Sequence, residues 1–139
     1  MRAGVAAGLV GGLMVCAFFF GCQHAGPIEG EYRLTRVSEH PVPNSIEFAS
    51  SAKTIFVDSG TFQILPGNRF RSVLATHESV STGRGATRVD TAVGRYVVDG
   101  GQLLLETPPS PQRRRVTFDV SHLYVLSSVE SRFEYERVR

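Results

Sequence analysis

Residues 94–106 read GRYVVDGGQLLLE, and this stretch decides the fold. Tyr96 and Val98 share one face of an extended chain, Leu103 and Leu105 share one face of the next, and Asp99-Gly100-Gly101 lies between them. Side chains of a strand alternate between faces, and an Asp-Gly pair supplies the positive φ that a tight hairpin turn demands. The segment therefore predicts a β-hairpin with one apolar face.

The same rhythm continues on both sides of it. GEYRLTRV, 30–37, sets Tyr32 and Leu34 against Glu31, Arg33 and Thr35. KTIFVDSGTFQIL, 53–65, is a long strand with a bulge or bend at Asp58, Ser59 and Gly60. PGN at 66–68 is a turn, a strand follows over about 69–79, and STGRGATR, 81–88, reads as a polar loop before TAVGRYVV, 91–98. Beyond the hairpin, TPPSPQ interrupts, and RRRVTFDV, 113–120, then directs Val116, Phe118 and Val120 inward. LYVLSS, 123–128, and RFEYERVR, 132–139, complete the series, the last with Phe133, Tyr135 and Arg137 on one face. EHPVPNS, 39–45, breaks the pattern because its prolines lack a backbone donor, and residues 41–52 have room for one short helical turn at most. Eight strands without sustained helical periodicity predict an all-β fold: an eight-stranded antiparallel up-and-down barrel, in which closure removes the free sheet edges.

The N-terminal head is of a different kind. Arg2 is followed by an uncharged apolar run to Cys22, after which the chain turns polar at Gln23. That order is expected of a secretory signal helix. FFGC, 19–22, resembles the bacterial lipobox, with Phe19 where leucine is usual and Phe20 where a small residue is usual. The resemblance implies a lipoprotein signal peptide over 1–21, lipidation with palmitate-like chains at Cys22, a lipidated tether over 22–29 and a folded domain over 30–139. Two or more acyl chains would make Cys22 a stable membrane anchor. Gln23 stands where the inner-membrane retention signal has aspartate, which implies an outer-membrane lipoprotein facing the periplasm. A retained membrane-spanning helix over Ala3–Cys22 is the competing expectation, since the run approaches the ~20 residues that cross a bilayer.

Composition narrows the function. Only Arg2 among the charged residues lies in the head, which leaves 14 basic against 13 acidic side chains in 23–139 and no electrostatic reason to expect nucleic acid. Both cysteines, Cys16 and Cys22, lie in the head, so the domain has no internal disulfide and no thiolate metal site. His24, His40, His77 and His122 lack the short spacings of metal ligands. There is no Gly-x-Ser-x-Gly, no His-Glu-x-x-His and no phosphate-binding glycine loop. The expectation is a protein that is not an enzyme, without catalytic residues, metal or cofactor.

GEYRLTRV, DSGTFQILPGNRF, GRYVVDGGQLLLE and the terminal FEYERVR, taken in order, resemble the small bacterial lipocalin-like domains over about 30–139. Tyr32 stands where lipocalins proper have tryptophan. The resemblance implies that Arg137 of the last strand closes the barrel base over Tyr32. An eight-stranded barrel is wide enough to be filled by its own side chains or to hold one small ligand. Phe62, Phe70, Tyr96, Leu103, Phe118, Phe133 and Tyr135 are the candidate pocket lining, with Tyr96 and Tyr135 as polar handles. Leu104, Tyr124 and Leu126 have the opposite parity and belong on the outer wall, where a cluster would form a docking patch for another envelope protein or for the membrane surface. Arg113, Arg114 and Arg115 mark a solvated hairpin end. Two functions follow: binding or carriage of a small hydrophobic molecule, or a packed barrel that serves as an interaction or structural module of the envelope.

Overall fold

A computed structural model describes residues 28–47, 54–126 and 131–139. The signal helix expected over 1–21, Cys22 and the tether up to Pro27 lie outside the described residues. Among the described residues the chain is all β, with strands β1 (Gly30–Val37), β2 (His40–Pro41), β3 (Asn44–Glu47), β4 (Thr54–Leu65), β5 (Arg69–Val80), β6 (Gly83–Asp99), β7 (Gln102–Glu106), β8 (Arg113–Phe118), β9 (His122–Leu126) and β10 (Arg132–Arg137). All pairings are antiparallel, and the order β1-β10-β9-β8-β7-β6-β5-β4 returns to β1, which closes a barrel of eight strands. β2 and β3 are short additions to β1 and β4.

Closure is made by Gly30–Arg33 of β1, which face Ile64–Thr61 of β4 while β1 also pairs with β10. The interior follows the period of two. Tyr32, Leu34, Phe62, Ile64, Phe70, Tyr96, Leu103, Leu105, Val116, Leu123, Phe133 and Tyr135 are buried together with Val37 and Val57. Fully burying a large apolar side chain contributes roughly 1.5–3 kcal/mol, so this set supplies the drive for closure in a domain without disulfides.

The turns have the chemistry their residues dictate. Gly67 and Asn68 take positive φ between β4 and β5, as do Gly100 and Gly101 between β6 and β7. The ladder between β4 and β5 slips at Asp58, between Val57 and Ser59, which is the expected bulge.

Three expectations are corrected. Residues 81–88 form no loop: only Ser81 and Thr82 turn, and β6 starts at Gly83, because alternation of polar residues on a strand exposed on both faces leaves no hydrophobic signal. Within 41–52, where at most one helical turn is expected, Asn44–Glu47 are extended and pair with Val57–Thr54, and 48–52 lie outside the described residues. Val120 is 85% exposed, because β8 ends at Phe118 and the chain turns at Asp119. Val98 has inward parity but stands next to the hairpin turn at the barrel rim, where it is 53% exposed.

Gly94 marks the point where β6 passes from two partners to one. A Cβ there would lie 2.0 Å from the Glu106 carbonyl oxygen and 2.9 Å from the Phe70 ring. Gly94→Ala is expected to lower stability by about 1–3 kcal/mol, read as a shift in the urea midpoint followed by circular dichroism.

Candidate functional site

The two halves of the barrel differ. At one end lie the turns at 66–68, 99–101 and 119–121 together with the start of β1 and the finish of β10. Tyr32 and Arg137 are direct partners across β1 and β10. The Arg137 Cζ stands 5.8 Å from the centroid of the Tyr32 ring, within cation–π range. The Tyr32 hydroxyl donates to the Ile28 carbonyl at 2.7 Å, and the Arg137 guanidinium donates to the Glu29 carbonyl. Gly30 makes room for this contact: a Cβ there would sit 3.2 Å from Arg137 Nε and Nη2, and its φ of +152° disfavours any side chain. Burial raises the pKa of Tyr32, and the Arg137 charge opposes that rise.

The adjacent turn is held by Asp119. Its carboxylate accepts from the backbone N–H of Ser121 and of His122 at 2.8 Å each, and Tyr124 donates to its other oxygen at 3.2 Å. Partial burial works against ionisation of Asp119, but these hydrogen bonds and His122 outweigh it and hold the pKa below the usual carboxylate value. This end is a structural plug.

The other half of the interior contains a cavity of about 280 Å³. Phe62, Phe70, Leu74, Leu105, Phe133 and Tyr135 form its apolar wall. Phe62 stacks on Phe70 at 5.6 Å between centroids and meets Tyr135 edge to face at 5.8 Å. The cavity arises where Ser72 of β5 faces Ala92 of β6, since two small side chains opposite each other leave the space in front of the aromatics unfilled. The exposed Asp90, Thr91 and Arg114 belong to its lining and form its mouth.

Of the seven residues expected to line a pocket, Phe62, Phe70, Phe133 and Tyr135 are brought together here. Tyr96 and Leu103 are buried in the core without lining this cavity, and the half-buried Phe118 packs against that core. Of the two tyrosines named as polar handles, Tyr135 alone reaches the cavity wall. Ser72, Asp90, Thr91, Ala92, Thr107 and Arg114 are the lining residues that apolar patterning misses. Ser72, Ala92 and Asp90 were accessible by counting parity outward from Phe70 and from Tyr96.

The outer wall is broken up by polar neighbours. Arg115 stands opposite Leu104, Thr117 opposite Tyr124 and Arg132 opposite Leu126. Tyr124 itself lies beneath the Arg132 guanidinium, 4.3 Å from ring centroid to Cζ. Arg113, Arg114 and Arg115 are exposed, and Arg113 pairs with Glu106 at 2.6 Å. On the long strands, Asp58 at the bulge lies 2.9 Å from both His77 Nδ1 and Arg84 Nη2, and His77 stacks on Phe56. This cluster ties the bulge of β4 to the β5–β6 hairpin.

No protein-family model matches the chain, and no curated protein matches it in sequence.

Burial pushes the Tyr135 hydroxyl up to about 12. A phenol with a folded pKa above its unfolded value of ~10 contributes stability that is complete below pH 10 and is lost as pH rises towards 12, here about 3 kcal/mol. Urea midpoints measured between pH 8 and pH 12 should fall less steeply for Tyr135→Phe than for the parent chain, since the variant has no phenol to ionise on unfolding.

Proposed function

We propose that the chain is a lipid-anchored envelope protein of lipocalin-like type, whose barrel binds or carries one small hydrophobic molecule. The observation that carries this reading is the aromatic-walled cavity in front of the Ser72–Ala92 pair. Ligand pockets are concave and mostly apolar, with a few polar groups at fixed positions. The wall of Phe62, Phe70, Phe133 and Tyr135 with Arg114 and Asp90 at the mouth has that composition. Its 280 Å³ lies just below the ~300–1,000 Å³ typical of such pockets, which favours a short acyl chain or a single-ring compound over a tetrapyrrole. In this reading the protein binds without chemical turnover, and its partners are the membrane and the ligand.

The anchor rests on FFGC, 19–22, and on the polar turn of the chain directly after Cys22. Outer-membrane placement towards the periplasm rests on Gln23. The alternative of a packed barrel that acts as an envelope interaction module is less favoured by the cavity and by the polar partners that separate Leu104, Tyr124 and Leu126.

Two measurements test these assignments separately. Intact-mass analysis of the membrane-extracted protein should show a chain that starts at Cys22 and carries acyl mass; a chain that starts at Met1 without added mass removes the anchor. For the cavity, decanoic acid titrated into the full chain in phospholipid nanodiscs should bind saturably. Leu74→Trp adds a bulky side chain to the cavity wall of a protein that has no other tryptophan. It should weaken binding at least tenfold, by about 1.4 kcal/mol or more, while the circular dichroism of the barrel is retained. Absence of saturable binding to the parent chain returns the barrel to a structural module.

A further inference from the structure

β6 pairs with β7 over Arg95–Asp99 and with β5 from Arg95 back to Gly83, so the two ladders overlap at Arg95. Among the described residues, β6 pairs with β5 alone from Val93 back to Gly83. The Tyr96 N–H donates to the Asn68 carbonyl on the β5 side, and the ladder runs without a slip from Arg69 opposite Arg95 to His77 opposite Thr87. Backbone groups alternate along a strand, so even-numbered residues bond to β5 and Thr87, Val89 and Thr91 turn theirs to the free edge. Proteins blunt such edges with lysine, proline, bulges or a covering segment. Residues 86–92 contain neither lysine nor proline, the ladder slips only below Thr87 and runs regularly over Thr87–Ala92, and Ala86–Thr91 are exposed.

The sequence of this edge is ATRVDTA, and it is symmetric about Val89. Ala86 answers Ala92, Thr87 answers Thr91, and Arg88 answers Asp90 with the opposite charge.

We propose that the free edge of β6 pairs with the same edge of a second copy of this chain, antiparallel, about a two-fold axis through Val89. In that register Val89 faces Val89 of the second copy, Thr87 faces its Thr91, and Arg88 faces its Asp90. The odd-numbered pairs exchange backbone hydrogen bonds, and the two sheets become continuous. Arg88 and Asp90 already lie on one face, joined at 2.8 Å with side chains 77% and 51% exposed, so each is free to reach its counterpart. The charges also fix the register. A slip of two residues opposes Arg88 to Arg88 or Asp90 to Asp90, and like charges directly opposite are unfavourable; a slip of one residue sends the side chains to the wrong faces. The seam is short, so the dimer is weak and concentration-dependent. Asp90, Thr91 and Ala92 also line the cavity, so the seam borders its mouth.

Sedimentation equilibrium of the full chain in non-ionic detergent, with reductant to keep Cys16 and Cys22 from cross-linking, tests the pairing. The parent chain should dimerise with rising concentration, and Arg88→Asp and Asp90→Arg should each weaken self-association about tenfold or more. An equimolar mixture of the two variants should recover the dimer, since each edge then meets its opposite. Association through the apolar head is indifferent to these charges and cannot produce that recovery. Val89→Pro removes an N–H that faces the free edge, a position where proline is tolerated, and should give monomers with the barrel's circular dichroism unchanged. A parent chain that stays monomeric up to about 0.3 mM overturns the proposal and leaves the edge to a strand of another protein. So does a dimer that survives Val89→Pro, or variants whose mixture fails to recover it.

Discussion

The pairing of Gly30–Arg33 with Thr61–Ile64 is the contact on which the rest of the structure depends. Among the described residues β1 is the only strand that bonds both to β10 and to β4, so without this contact the eight strands would form an open sheet. Closure converts one face of that sheet into an interior and gives a drive to bury residues such as Tyr32, Leu103 and Leu123 on every side at once. A domain with no disulfide has little else to hold it, which is why the seam carries so many specific contacts. Arg137 over Tyr32, the bond from its guanidinium to the Glu29 carbonyl, and the Val138 N–H to the Glu31 carbonyl at 2.8 Å all lie within a few residues of it.

Much of this was legible because the physics of a barrel wall is written in alternation. The hairpin at 94–106 shows both signals at full strength, an apolar face on each strand and an Asp-Gly-Gly turn, and the structure places Tyr96 opposite Leu105 accordingly. The bulge at Asp58 and the turn at 66–68 were equally plain, because glycine, proline and asparagine announce positive φ or a missing donor. The N-terminal half of β6 was not legible. Its residues are exposed on both faces, so nothing in their hydrophobicity distinguishes a strand from a loop; the strand exists there because β5 offers a ladder to pair with, which is a tertiary cause.

The candidate site was half legible for a related reason. Apolar parity found Phe62, Phe70, Phe133 and Tyr135, because an inward aromatic on a strand is what a search for cores is built to see. It says nothing about vacancies. Whether inward aromatics touch one another or leave a space between them is set by the residues opposite, and here those are Ser72 and Ala92, too small or too polar to register as core.

The position of the cavity follows from the same reasoning applied around the ring. On the closing side, Gly60 of β4 has no side chain, and a Cβ there would stand only 3.1 Å from Leu34; this lets Leu34 lean against the wall, beside the fully buried Val37 and Val57. That side is therefore filled by leucine and valine at close range. On the far side, β5 and β6 present Ser72, Ala92 and Gly94, and the Phe70 ring that approaches Gly94 cannot also cover the space before Ala92. A glycine that admits a neighbour packs the barrel; a small pair with no neighbour to admit empties it. The chain thus places its stability on the β1–β4–β10 side and its vacancy against β5 and β6, where the wall loses its second hydrogen-bonded partner beyond Gly94.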